Sequence, residues 1–283
     1  MNRQDMLLAD AYCLSLADQH YENFSVASKL LPASIRLDLA RIYAYCRTTD
    51  DLGDESASRE SARVRLELWR DELNALFAGK PPIHPVLIAL SETIKAHQMP
   101  IEPFVDLIAA NIQDQEVSSY ENWTDVLGYC RNSAAPVGRM VLAVFGIYNA
   151  TTVPLSDDVC VGLQLANFAQ DVARDAAIGR TYLVQADVRA AGKAEATRIM
   201  VERARELLGS GRALERMAPS GLRFQLALYR LGGLAICEGI ARIGYRTEFE
   251  RPTVTRSVKL GLLARAIALS LQPARNVERP ETA

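Results

Sequence analysis

Two short acidic runs carry the residue types most suited to chemistry. In Thr48-Thr49-Asp50-Asp51-Leu52-Gly53-Asp54-Glu55, four carboxylates fall within six residues. Asp50 and Asp54 are four apart, so a helix presents both on one face. Tyr43 and Arg47 extend that face backwards, giving an i, i+4, i+7, i+11 stripe of aromatic, cation and two acids. The second run, Gln164 to Asp175, repeats the geometry, with Gln164, Asn167, Asp171 and Asp175 at i, i+3, i+7, i+11. Two acids on successive turns repel by roughly 0.2–0.5 kcal/mol. Both runs therefore call for a cation.

Carboxylate and amide oxygens are hard ligands suited to Mg²⁺, which keeps some of its waters and bridges protein carboxylates to substrate phosphates. A diphosphate is the natural third party. Facing one another, two such helices would let bound cations neutralise a departing diphosphate and allow a carbon–oxygen bond to ionise. Arg47, Arg180 and Tyr182 are available to hold phosphate oxygens. Each run alone reads more readily as a solvated helix face or a cap. Together they resist that reading, because Asn167, Asp171 and Asp175 share a helix with Val161, Leu163, Leu165, Phe168 and Val172.

The elements that must position these groups are helical. Apolar residues recur every three or four positions, and period-2 runs rich in Val, Ile and Thr are nearly absent. That predicts an all-α chain of about eight to ten helices, broken at Pro32, Gly79 to Pro82, Pro100 to Pro103, Asn149 to Pro154, near Gly192, and Gly209 to Pro219. Ser34 to Asp54 forms one helix with Asp54 near its end, and the next begins near Ser58 and contains Leu66, Leu68 and Trp69. Another runs from about Asp157 to Ala176, with Ser156 and Asp157 as N-caps. Residues 1–283 read as a single domain with a frayed tail from about residue 273.

Charge and composition narrow the function classes. With 32 Lys+Arg against 34 Asp+Glu, a net charge of −2 offers no basic surface for nucleic acid. Five cysteines without a CxxC pair suit a reducing, cytoplasmic setting. Met1 to Asp10 does not read as a signal peptide, and no apolar run approaches the roughly 20 residues of a membrane span. The segment Val258 to Leu269 is a basic-edged amphipathic helix, suited to the last core position or to peripheral contact with the inner face of a membrane. His20, His84 and His97 lack metal-ligand spacing; His84, in a Pro-rich turn, is expected to be exposed, and His20 either supports structure or steers water. Gly232-Gly233 follows no strand, so no dinucleotide fingerprint is present. Small residues from Ser133 to Gly138 mark a helix bend or a close packing point.

The acidic runs and their flanks resemble the squalene/phytoene synthase family, whose marks are a DDxxDE-type motif and an NxxxDxxxD motif about 120 residues later. The resemblance covers nearly the whole chain. It rests on Asp50 to Glu55 preceded by Tyr43-Ala44-Tyr45-Cys46-Arg47, on Asn167 to Asp175 followed by Ile178-Gly179-Arg180-Thr181-Tyr182-Leu183, and on Tyr129-Cys130 and Val137-Gly138. It implies a single isoprenoid synthase fold, with helices around a central cavity and both motifs at its mouth. It further implies that Asp50, Asp54, Asn167, Asp171 and Asp175 ligate Mg²⁺, and that Tyr43, Arg47, Arg180 and Tyr182 contact the diphosphate of a prenyl substrate.

Within the family, His20 to Ser28 and Asn167 to Asp171 look most like the bacterial hydroxysqualene synthase branch, which takes presqualene diphosphate and water to hydroxysqualene and diphosphate. Gln170 stands where members that join two prenyl diphosphates usually carry Arg, and a site with fewer cations suits one diphosphate. Val184 replaces a frequent Pro. The rival within the family condenses two farnesyl diphosphates; outside it stands a non-catalytic lipid- or partner-binding helical protein, in which Asp50→Ala and Asp171→Ala would be silent. Phe24, Gln164, Leu165, Phe168, Leu228 and Tyr245 are candidates for the substrate pocket, where aromatic faces would steady a carbocation by about 0.5–2 kcal/mol each. Taken singly, each reads first as ordinary core. Oligomeric state is not legible.

Overall fold

The computed structural model describes residues 3–19 and 31–271. Every regular element among them is a helix, as the apolar period predicts, but there are thirteen rather than eight to ten. The surplus comes from one-residue interruptions at Ala134, Asp171 and Gly192, too brief to disturb an apolar stripe. The chain forms two compact units, one ending at Tyr148 and the other beginning at Asn149.

The first unit contains α1 (Arg3–Gln19), α2 (Ala33–Asp54), α3 (Arg59–Phe77), α4 (Pro85–His97), α5 (Glu102–Glu116), α6 (Trp123–Ser133) and α7 (Ala135–Val144). Helix α2 packs against α1, α3, α4, α5 and α7, around fully buried Tyr45, Leu66, Leu73, Leu90, Phe104 and Ile108. Two buried polar knots fix it. Arg41 forks onto Asp10 at 2.8 and 3.0 Å and reaches Thr93 at 3.2 Å, joining three helices, since an unpaired buried charge would be costly. Immediately before Asp50, the Thr49 hydroxyl donates to the Tyr45 carbonyl at 2.8 Å and accepts from Trp69 Nε1 at 3.0 Å. Tyr45 itself stacks on Trp69 and donates to the Phe104 carbonyl at 2.9 Å.

His84 departs from the exposed position expected of it. It is half-buried, its Nδ1 caps α4 by accepting from Val86 N at 3.2 Å, and its ring sits edge-on to Trp69. Burial lowers its pKa. The bend at Ser133 to Gly138 is a full break between α6 and α7, with Pro136 in the first turn of α7, where a missing N–H leaves no bond unmade.

The second unit contains α8 (Thr152–Gln170), α9 (Val172–Ala177), α10 (Gln185–Ala191), α11 (Lys193–Met217), α12 (Ser220–Arg242) and α13 (Arg256–Ser270). Helix α8 starts five residues earlier than Asp157, and neither Ser156 nor Asp157 caps it. Asn149 Oδ1 does, accepting from the N–H groups of Thr151 and Thr152 at 2.9 and 3.1 Å. Pro154 is tolerated because it lies in the first turn.

Helices α8, α11 and α12 meet at glycines. A Cβ on Gly211 would lie 2.6 Å from Val159, and one on Gly233 would lie 2.8 Å from Leu163 and 2.9 Å from Leu208. Gly233 thus serves helix packing rather than nucleotide binding. Across α11 and α12, buried Arg230 pairs with Glu215 at 2.5 and 3.1 Å. Cys13 and Cys130 are buried in the first unit and Cys237 in the second, and loss of hydration raises all three thiols, to about 12, about 12 and about 11.

Candidate functional site

Asp50 and Asp54 occupy the last turn of α2, as the sequence predicts, and both side chains reach solvent. Gly53, between them, is buried: a Cβ there would sit 3.1 Å from Asn111 Oδ1 and 3.3 Å from Gln115 Nε2. Its absence lets α5 approach, so that Asn111 Nδ2 donates to Asp50 Oδ1 at 3.2 Å and to the Leu107 carbonyl at 3.1 Å. Gln115 Nε2 donates to the Asn111 carbonyl at 3.1 Å. Asn111 is a site residue that sequence reasoning missed. Its signal was present as two carboxamides, four apart, in a helix otherwise rich in Phe104, Leu107 and Ile108.

Protein atoms crowd Asp50 although solvent touches it, and lost hydration is the main reason its pKa rises to about 6; Asn111 opposes the rise, while Asp54 adds to it. Arg47 pairs with Asp51 at 2.5 Å and Glu55 at 3.5 Å rather than with Asp50. Its Nε is buried and finds no acceptor among the described residues, a donor suited to a ligand oxygen. Partial burial raises the pKa of Tyr43 and keeps its hydroxyl protonated.

In the second run, α8 ends at Gln170, and Asp171 stands outside helical geometry with φ −101° and ψ 18°. The interruption does not rotate the face. Asp171 N still bonds the Asn167 carbonyl and Asp175 N the Asp171 carbonyl, both at 2.9 Å. Asn167 is exposed, whereas Gln164, Asp171 and Asp175 are half-buried. Asp175 rises to about 6, through lost hydration first and the Asp171 charge second, with Arg180 opposing. Gly179, at φ +76°, turns the chain back so that Arg180 N bonds the Asp175 carbonyl at 2.8 Å.

Arg251 is the second residue missed. Its Nε bonds Asp171 Oδ1 and its Nη2 donates to Oδ2 at 3.2 Å, while Arg174 lies 3.8 Å from the same carboxylate. Gln170, expected to leave the site poorer in positive charge, instead has a cation beside it: its Oε1 accepts from Arg251 Nη2 at 3.3 Å. No local pattern announces a partner 80 residues away.

Phe168 and Tyr182 come together, both buried, with parallel rings 3.8 Å apart. Leu165 is fully buried and Leu228 half-buried on α12. Tyr245 takes φ +61° in the turn closing α12, its N–H bonding the Ile240 carbonyl at 3.0 Å. Val184 is buried with φ −60°, the angle a proline would fix, so its replacement of Pro keeps the backbone path. Phe24 and His20 lie outside the described residues.

The donor set fits Mg²⁺. No three acidic, His or Cys side chains converge among the described residues. Each run instead offers a pair of carboxylates that repel one another, and Mg²⁺ commonly takes one or two carboxylates, with water and substrate phosphate completing its shell.

The sequence profile described as "Squalene/phytoene synthase" matches residues 17–258. The chain is 33% identical to phytoene synthase of Arthrospira platensis over 190 residues, 62% of this chain and 61% of that protein. It is 34% identical to hydroxysqualene synthase of Sinorhizobium fredii over 172 residues, 60% of this chain and 58% of that protein. These matches span about three-fifths of each relative's length. The crystal structure of squalene synthase HpnC from Alicyclobacillus acidocaldarius superposes with a TM-score of 0.81 at 40% identity, covering 86% of this chain and 97% of that one.

Proposed function

Because the chain belongs to the squalene/phytoene synthase family, we propose that it is a single-domain, Mg²⁺-dependent enzyme that converts presqualene diphosphate and water to hydroxysqualene and diphosphate. The observation that carries this choice is the 34% identity to the hydroxysqualene synthase of Sinorhizobium fredii over 172 residues, with the 40% identity to squalene synthase HpnC across 86% of the chain beside it. Asp50 and Asp54 would hold metal on the first unit, and Asn167, Asp171 and Asp175 would hold it on the second. Bound there, Mg²⁺ supplies positive charge against a leaving diphosphate. Arg47, with an unused Nε donor, Tyr43, with its proton retained, and Arg180 and Tyr182 hold phosphate oxygens. Gln164, Leu165, Phe168, Leu228 and Tyr245 supply pocket surface, and the face of the Phe168–Tyr182 pair suits an adjacent carbocation. As the substrate carbon–oxygen bond breaks, diphosphate leaves with the electron pair, and water adds to the carbocation with loss of a proton.

A cytoplasmic enzyme handling so apolar a substrate gains from contact with a membrane surface. Among the described residues no helix is long and apolar enough to cross one. Helix α13, however, exposes Leu260 and Ile267 beside Arg256 and Lys259, and Leu271 just past its end is exposed as well. Co-flotation with anionic vesicles, lost on Leu260→Ser/Ile267→Ser, tests that contact; flotation unchanged by the substitutions removes α13 from it.

The rival reaction joins two farnesyl diphosphates, and one observation favours it: Arg251 restores a cation beside Gln170. Purified protein with Mg²⁺ is incubated separately with presqualene diphosphate and with farnesyl diphosphate. Hydroxysqualene from the first supports the proposal; turnover of farnesyl diphosphate alone rejects it.

A further inference from the structure

We propose that Gln170 is a positioning residue that seats Arg251 on Asp171 as a resident counter-ion, in the place an incoming divalent cation must take. The inference rests on the reading that Asp171 and Asp175 bind such a cation. Gln170 is 5% exposed, and both ends of its carboxamide are committed to the same distant segment. Nε2 donates to the Pro252 carbonyl at 2.7 Å and Oε1 accepts from Arg251 Nη2 at 3.3 Å. A buried carboxamide bonded at both ends is costly to displace.

The segment is pinned from two other directions. Pro252 is buried against α12, where a Cβ on Gly239 would lie 3.3 Å from Pro252 Cβ. Three residues on, the Thr255 hydroxyl caps α13 by accepting from Val258 N at 3.4 Å. The backbone that follows Arg251 is thus held, and its guanidinium meets both oxygens of Asp171 as a two-point fork. That fork and an inner-sphere metal bond compete for the same lone pairs. Positive charge stays beside the acidic pair until metal arrives, and the displaced guanidinium remains tethered within reach of whatever the metal carries.

The test uses the full chain carrying Asp50→Asn and Asp54→Asn, so that only the second motif reports, with free Mn²⁺ followed by electron paramagnetic resonance in the absence of substrate. Arg251→Gln is expected to tighten Mn²⁺ binding roughly tenfold, within the usual range of coupling between competing ligands. Arg251→Lys, a single-point cation, should fall between. Gln170→Met keeps the volume but loses both hydrogen bonds; it should also tighten binding, and should add nothing once Arg251 is Gln. Unchanged affinity in Arg251→Gln, or an equal effect of Gln170→Met with and without Arg251, overturns the inference while leaving the metal site standing. Absence of Mn²⁺ binding from both the parent and Arg251→Gln overturns the metal reading and the inference with it.

Discussion

At the scale of single residues, the first acidic motif depends on a side chain outside it. Asn111 reaches Asp50 only because Gly53 has no Cβ, and it holds one carboxylate oxygen while the other stays available. Asn111→Leu keeps the bulk and deletes the donor. The Mg²⁺ concentration for half-maximal turnover should then rise by about tenfold or more, with a smaller fall in kcat at saturating Mg²⁺. A Mg²⁺ titration of turnover checks this, and an unchanged requirement would show that Asn111 only packs. Asp50 and Asp175 also set a pH dependence. Both are raised from 3.8 to about 6, so the folded chain binds these protons more tightly than the unfolded chain does. Metal-free protein therefore loses stability as pH rises from 3.8 through about 6, and denaturant midpoints measured with chelator across that window should fall. Mg²⁺ needs the ionised form, so its apparent affinity should weaken as pH drops below about 6. The acidic runs were legible in the sequence because their spacing is local. Asn111 and Arg251 were not, because each reaches its aspartate through a tertiary approach that no periodicity encodes.

At the scale of elements, apolar period gave helix identity but not every boundary. The end of α2 at Asp54 and the Ser58 cap of α3 were readable, since both lie at a local change from apolar stripe to polar run. The start of α8 was misplaced because Asn149, three residues outside the helix, does the capping that Ser156 and Asp157 are chemically able to do. His84 was misjudged for a related reason: Pro residues around it suggested an open turn, whereas its ring fills space beside Trp69. The α8–α11–α12 assembly makes a sharper prediction. Glu215→Gln leaves Arg230 with half its fork and a buried uncompensated charge, which should cost about 3–5 kcal/mol. Gly211→Ala forces a methyl within 2.6 Å of Val159 and should cost about 1–3 kcal/mol. Urea unfolding followed by circular dichroism measures both; a shift under 0.5 kcal/mol at either site, on the scale of a surface change, would contradict the packing described.

At the scale of the whole molecule, the all-α class was fully legible, and family membership rests on residues 17–258. The break at Asn149 to Pro154 was legible as one helix interruption among several, but nothing in it marks the boundary between two compact units. The buried cysteines turn that division into something measurable. At neutral pH a thiol raised to between about 11 and about 12 is almost wholly protonated and unreactive, so alkylation must wait for the surrounding helices to open. Cys13 and Cys130 clock opening of the first unit, and Cys237 clocks the second. If the chain opens as one cooperative body, mass spectrometry after timed iodoacetamide pulses should give all three sites the same opening free energy. If it opens in halves, Cys237 should report a value of its own, and substrate mimics should slow the two clocks unequally. The molecule thus carries a built-in pair of chemical stopwatches, readable without an engineered probe site.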